Sequence, residues 1–164
     1  MRFLVIGAGN IGSLYAAKLA QSSQEVTVLA RGERLVEIRR HGIELEHAVS
    51  GERTRTPLQV VDRLDPVDAY DVVLVVLPKQ RIAEVLPVLA ANDRTPSVMF
   101  FGNNAAGPAA MTDALGHDRV LFGFPGAAGV RRTPTRVRLL CCYATRCSLR
   151  SALAALRPSG LHGK

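Results

Sequence analysis

Gly7, Gly9 and Gly12 stand at the spacing G-x-G-x-x-G within Gly7-Ala8-Gly9-Asn10-Ile11-Gly12, directly behind the apolar run Phe3-Leu4-Val5-Ile6. Glycines so spaced, where a first strand turns into a first helix, can cradle a pyrophosphate. The first permits the tight turn, the second lets backbone approach the phosphates, and the third lets helix pack closely on strand. Unpaired N–H groups and the helix dipole favour negative charge at that point. A glycine-rich turn without a ligand is the competing reading. The strand before and the helix after favour dinucleotide binding, with residues 7–12 as the phosphate cradle.

The second strand bears on which dinucleotide. Glu25-Val26-Thr27-Val28-Leu29-Ala30 reads as that strand, and Arg31 follows it. An acid in this slot holds a ribose 2′-hydroxyl. A guanidinium instead matches a 2′-phosphate in charge and in geometry, so Arg31, with Arg34 one turn on, points to NADP(H). The alternative is a solvated surface arginine.

Positioning these residues requires a layered α/β fold. Residues 1–124 alternate apolar runs with helical patterns, the signature of a doubly wound parallel sheet of Rossmann type. Helices are predicted over residues 10–21, 33–40 (closing on Gly42), 81–90 and 108–115. Short strands are predicted over 43–46 and 57–61, with a turn at Ser50-Gly51-Glu52 between them. The run Asp71-Val72-Val73-Leu74-Val75-Val76-Leu77 reads as a central strand covered on both faces. Further strands fall at 97–101 and 120–122. Ligands of such sheets bind at the carboxyl ends of the strands, which is where the cradle, Arg31, Lys79 and Asn103 all fall.

Charge and cysteine divide the chain late. Residues 1–118 hold twelve Lys and Arg against all fourteen acids, a net −2. Residues 119–164 hold nine basic residues and no acid, a net +9. Cys141, Cys142 and Cys147 crowd the same end without a zinc-ligand spacing, so no metal is expected. His41, His47, His117 and His162 are scattered. No apolar run is long enough to span a bilayer and no signal peptide is evident, so the expected location is cytoplasmic and no membrane partner is expected.

Taken together, these residues resemble the N-terminal domain of the ketopantoate reductase (2-dehydropantoate 2-reductase) family. The resemblance rests on the glycine cradle near the first residue, Arg31 in Ala30-Arg31-Gly32, and a helix ending at Gly42. It extends to Lys79 in Leu77-Pro78-Lys79-Gln80, Asn103 after the next strand, and the small-residue loop Gly126–Gly129. It covers about residues 1–131. The resemblance implies NADPH-dependent reduction of a 2-oxo acid, 2-dehydropantoate to pantoate in pantothenate biosynthesis. It places Lys79 and Asn103 beside cofactor and substrate, and Gly129 beside the cofactor. The longer loop Asn103-Asn104-Ala105-Ala106-Gly107 departs from the family's Asn-Gly-x-Gly. The family's catalytic lysine belongs to a helical C-terminal domain with no counterpart here, so the chain is expected to be truncated, inactive alone, and able to self-associate through exposed apolar surface.

The resemblance fades after Val130, where charge and cysteine usage also change. The expectation is an NADP-binding domain over 1–131 and a basic tail over 132–164 that is not a folded domain and that a frameshift near codon 131 would explain. Two alternatives remain. The chain could be a stand-alone NADP-binding or sensing module. Alternatively, residues 148–157 could form a basic helix that binds a nucleic acid (RNA) or an anionic membrane, although such runs without aromatics are usually non-specific.

Overall fold

In the computed structural model, residues 1–102 and 107–142 are described, the last two by their backbone alone. Strands β1 (Arg2–Ile6), β2 (Glu25–Leu29), β5 (Gln59–Val61), β6 (Val72–Val75), β7 (Ser97–Phe101) and β8 (Val120–Gly123) form one sheet in the order β5-β2-β1-β6-β7-β8. Every neighbouring pair in it is parallel. Helices α1 (Asn10–Gln21), α2 (Gly32–His41), α3 (Ile82–Ala91) and α4 (Ala109–Leu115) connect and cover the strands. This is the α/β, Rossmann-type doubly wound sheet that the alternating pattern predicts.

Side-chain alternation divides the core between the two faces of this sheet. Phe3 and Val5 of β1 point toward α1, where Leu14, Ala17 and Leu19 are buried. Leu4 and Ile6 point the other way and pack with Val73, Val75, Leu89, Val98 and Phe100. β6, buried at all four positions, runs through the middle of the sheet.

A second sheet, β4-β3-β10-β9, was not foreseen. It is built from β3 (Ile43–His47), β4 (Arg53–Thr56), β9 (Ala127–Arg131) and β10 (Arg136–Cys142). Its Ile43, Leu45, Val137 and Leu139 join the Phe3–Val5 core, so α1 is enclosed between the two sheets. The small residues Gly12, Ser13, Ala16 and Ala17, all buried, permit that enclosure. The single strand expected over 57–61 is also revised. Residues 53–56 hairpin back onto β3, and only 59–61 enter the parallel sheet.

Residues beyond the expected boundary at 131 also join this second sheet. Gly126–Gly129 is not simply a loop, since β9 begins at Ala127. Residues 132–135 turn the chain, and β10 then pairs antiparallel with β9 and parallel with β3. Val137 is fully buried and Leu139 nearly so. The arginines of this segment are partnered across the sheet. Arg136 pairs with Glu44, while Arg138 Nε lies 3.4 Å from Glu46, which also takes Arg53 at 3.3 Å. Two charges of the basic tail are therefore used inside the fold. The candidate helix over 148–157 and Cys147 lie outside the described residues.

Candidate cofactor site

The carboxyl ends of β1, β2, β6 and β7 share one edge of the parallel sheet. At β1 the chain enters the cradle through Gly7, whose φ of +106° favours glycine, and where a Cβ would strike the carbonyl oxygen of Val76. Gly12 is buried in α1, and a Cβ there would overlap the carbonyl oxygen of Gly7. Both glycines are demanded by packing. Gly9 is not: its φ of −74° suits any residue, and nothing lies within 4 Å of where its Cβ would stand. It caps α1 without a side-chain hydrogen bond. The cradle thus leaves open space at a helix N-terminus, which fits a pyrophosphate.

The rest of the cradle is held from behind. Asn10 Nδ2 donates to the carbonyl of Gly129 at 3.0 Å, so these two candidate residues bond to each other and tie α1 to β9. Ile11 is half-buried and offers only backbone polar groups. The Ala8 carbonyl accepts from Arg34 Nε at 3.1 Å and from Arg131 Nη2 at 3.2 Å. Because the trans peptide is planar, this anchoring turns the Gly9 N–H away from both arginines.

A cleft of about 360 Å³ opens beside the cradle. Gly7, Ala8 and Gly9 line it together with Ala30, Arg31 and Arg34 on one side and Leu77, Pro78 and Val85 on the other. The apolar side can cover the face of a base. Arg31, exposed, is the N-cap residue of α2 at the end of β2. Arg34 also donates through Nη2 to Ser13 Oγ at 2.7 Å, while its Nη1 is buried and unpartnered. Burial first, and then the nearby Arg131, lower the Arg34 pKa to about 10, which leaves it charged at neutral pH.

Lys79 stands in the single turn Lys79–Arg81 after β6, exposed and outside the lining of this cleft. Asn103 lies outside the described residues. Arg131 lines the cleft and was missed as a site residue in the sequence. Its signal was its place two residues beyond Gly129, on the same side of a strand.

A family model described as ketopantoate reductase PanE/ApbA matches residues 3–145. Curated relatives include a 2-dehydropantoate 2-reductase of Mesorhizobium japonicum, 30% identical over 91 residues, covering 55% of this chain and 27% of the relative. A glycerol-3-phosphate dehydrogenase (NAD(P)+) of Thermotoga sp. is 29% identical over 87 residues, 52% of this chain and 26% of the relative. Among solved structures, 2-dehydropantoate 2-reductase from Geobacter metallireducens superposes with a TM-score of 0.77 at 20% identity, covering 95% of this chain and 54% of the other. D-mandelate dehydrogenase with NADH and anilino(oxo)acetate superposes at 0.76 and 18% identity, covering 95% and 53%. This chain therefore spans about half the length of those structures and about a quarter of the curated relatives in alignment. With the family pattern matched from β1 through β10, the chain belongs to the ketopantoate reductase PanE/ApbA family.

Proposed function

We propose that this chain binds NADPH in the cleft beside Gly9 and serves the reduction of a 2-oxo acid, with 2-dehydropantoate (the pantothenate-pathway substrate) as the first candidate. The main support is the combination of open backbone at Gly9 with Arg31 at the end of β2, where no acid stands. Bound there, the reduced nicotinamide would supply hydride to the substrate's keto carbon. The chain's own residues would do the holding. Gly7 to Gly12 take the pyrophosphate at the start of α1, with Ala8, Asn10 and Ile11 contributing backbone, and Asn10 and Gly129 fix the cradle's rear. Arg31 takes the 2′-phosphate. Lys79, with Asn103, is assigned to the substrate and the adjacent ribose, since an ammonium attracts a carboxylate and a carboxamide donates and accepts. The relatives' printed names supply the reaction class, and the family match supplies the link to it.

No helix among the described residues is long and apolar enough to cross a membrane. A cytoplasmic location and self-association through exposed residues such as Phe122 and Phe124 belong to the same proposal. Binding and turnover are separable here. The substitution Arg31→Asp should weaken NADPH at least about tenfold, the scale of one charge-assisted contact, and leave NADH nearly unchanged. Equal losses for both would remove the 2′-phosphate from Arg31. NADPH binding without turnover of 2-dehydropantoate would assign the chain the cofactor role alone.

A further inference from the structure

Arg34 and Arg131 come from different sheets' surroundings, one from α2 and one from β9, and converge on a single acceptor, the Ala8 carbonyl. Two guanidinium groups at one oxygen repel each other, and neither has an ion-pair partner among the described residues. Arg31 is also unpaired there, and all three line the same cleft. The nearest acid in sequence, Glu33, is exposed, lines an adjoining cleft with Arg34, Arg131 and Arg132, and makes no ion pair with any of them among the described contacts. Arg34 keeps a buried, unsatisfied Nη1 donor, which costs stability unless something accepts from it. Its lowered pKa, caused by burial and by Arg131, reports the same uncompensated charge. Glu84, the acid that lines the cleft with them, is paired to Arg81 at 3.2 Å, so the three arginines face the cleft without an anion of their own.

We propose that Arg131, delivered by β9 from the second sheet, joins Arg34 and Arg31 to select a phosphate monoester, the 2′-phosphate of the bound dinucleotide. The assignment rests on the cofactor reading above and adds a specificity-determining residue to it. A phosphate monoester carries nearly two negative charges at neutral pH and three acceptor oxygens. It can therefore take one oxygen contact from each of several guanidinium forks and offset their mutual repulsion. A ribose 2′-hydroxyl carries no such charge, so NADH would offer these arginines only the pyrophosphate that both dinucleotides share. The second sheet thus takes part in cofactor choice as well as in packing. Asn10, bonded to Gly129 two residues before Arg131, ties the strand that carries this arginine to the start of α1.

The test is a titration of the full chain with NADPH, NADH, adenosine 2′,5′-bisphosphate and inorganic phosphate, in wild type, Arg131→Gln and Arg131→Lys. Arg131→Gln should weaken NADPH and the bisphosphate at least about tenfold and change NADH less than about twofold. Arg131→Lys keeps the charge without the fork and should fall between wild type and the glutamine variant. Equal losses for NADPH and NADH, or none for either, would overturn the assignment while leaving the dinucleotide reading intact. Tight inorganic phosphate binding that Arg131→Gln abolishes, with NADPH unaffected, would also overturn it and make the cluster a free-anion site. A wild-type chain that binds neither dinucleotide would overturn both proposals together.

Discussion

Gly9 and Gly12 share a motif but answer to different demands, and the difference is measurable. A Cβ on Gly12 would run into the Gly7 carbonyl, whereas one on Gly9 would meet nothing within 4 Å. Gly12→Ala should therefore cost more than about 2 kcal/mol of stability, as overpacking against fixed backbone does. Gly9→Ala should change stability by less than about 1 kcal/mol yet weaken NADPH binding, because the new methyl would enter the open space proposed for phosphate. Urea unfolding and NADPH titration of the two variants separate the roles. Loss of stability in Gly9→Ala equal to that in Gly12→Ala would show that the cradle is only a turn. Arg131 offers a parallel contrast. It is exposed, so Arg131→Gln should leave stability within about 0.5 kcal/mol even as ligand selectivity falls.

At the scale of elements, β10 decides how the late part of the chain is understood. Among the described residues, β9 is an edge strand whose only neighbour in its sheet is β10. Removing residues 132–164 would unmoor β9, and with it Gly129 and Arg131, so that truncation should lower the unfolding temperature and weaken NADPH binding. A shortened chain with unchanged affinity would show that Gly129 and Arg131 keep their places without β10. Val137→Asp is the milder probe. It places a carboxylate in a fully buried position and should cost more than about 3 kcal/mol. The parallel strands were legible because they read as apolar, β-branched runs bounded by turns. β10 was not, because its seven residues lie where acids vanish and cysteines crowd, and net charge masked the alternation Arg136-Val137-Arg138-Leu139. Its partner pattern, Ile43-Glu44-Leu45-Glu46, carries the opposite charges at the paired positions, with Arg136 opposite Glu44 and Arg138 opposite Glu46. Charge complementarity between segments some ninety residues apart cannot be read from either alone.

Across the whole molecule, a helix enclosed between two sheets holds at its N-terminus the glycine cradle proposed for the cofactor. The parallel sheet presents Gly7 and Arg31 at its carboxyl edge, and the second sheet reaches across α1 to bring Arg131 to the same cleft. The glycine cradle and Arg31 were legible as local sequence; the convergence of Arg34 and Arg131 on Ala8 needed the tertiary structure, since 97 positions separate them in the chain. This architecture is proposed to bind a 2′-phosphorylated dinucleotide. Calorimetric titration of the full chain with NADPH and with NADH, at one ionic strength, tests it most directly. NADPH should bind tighter than NADH by at least about tenfold, the scale of the charge-assisted contacts involved. Equal affinities, tighter NADH, or no binding of either would contradict it.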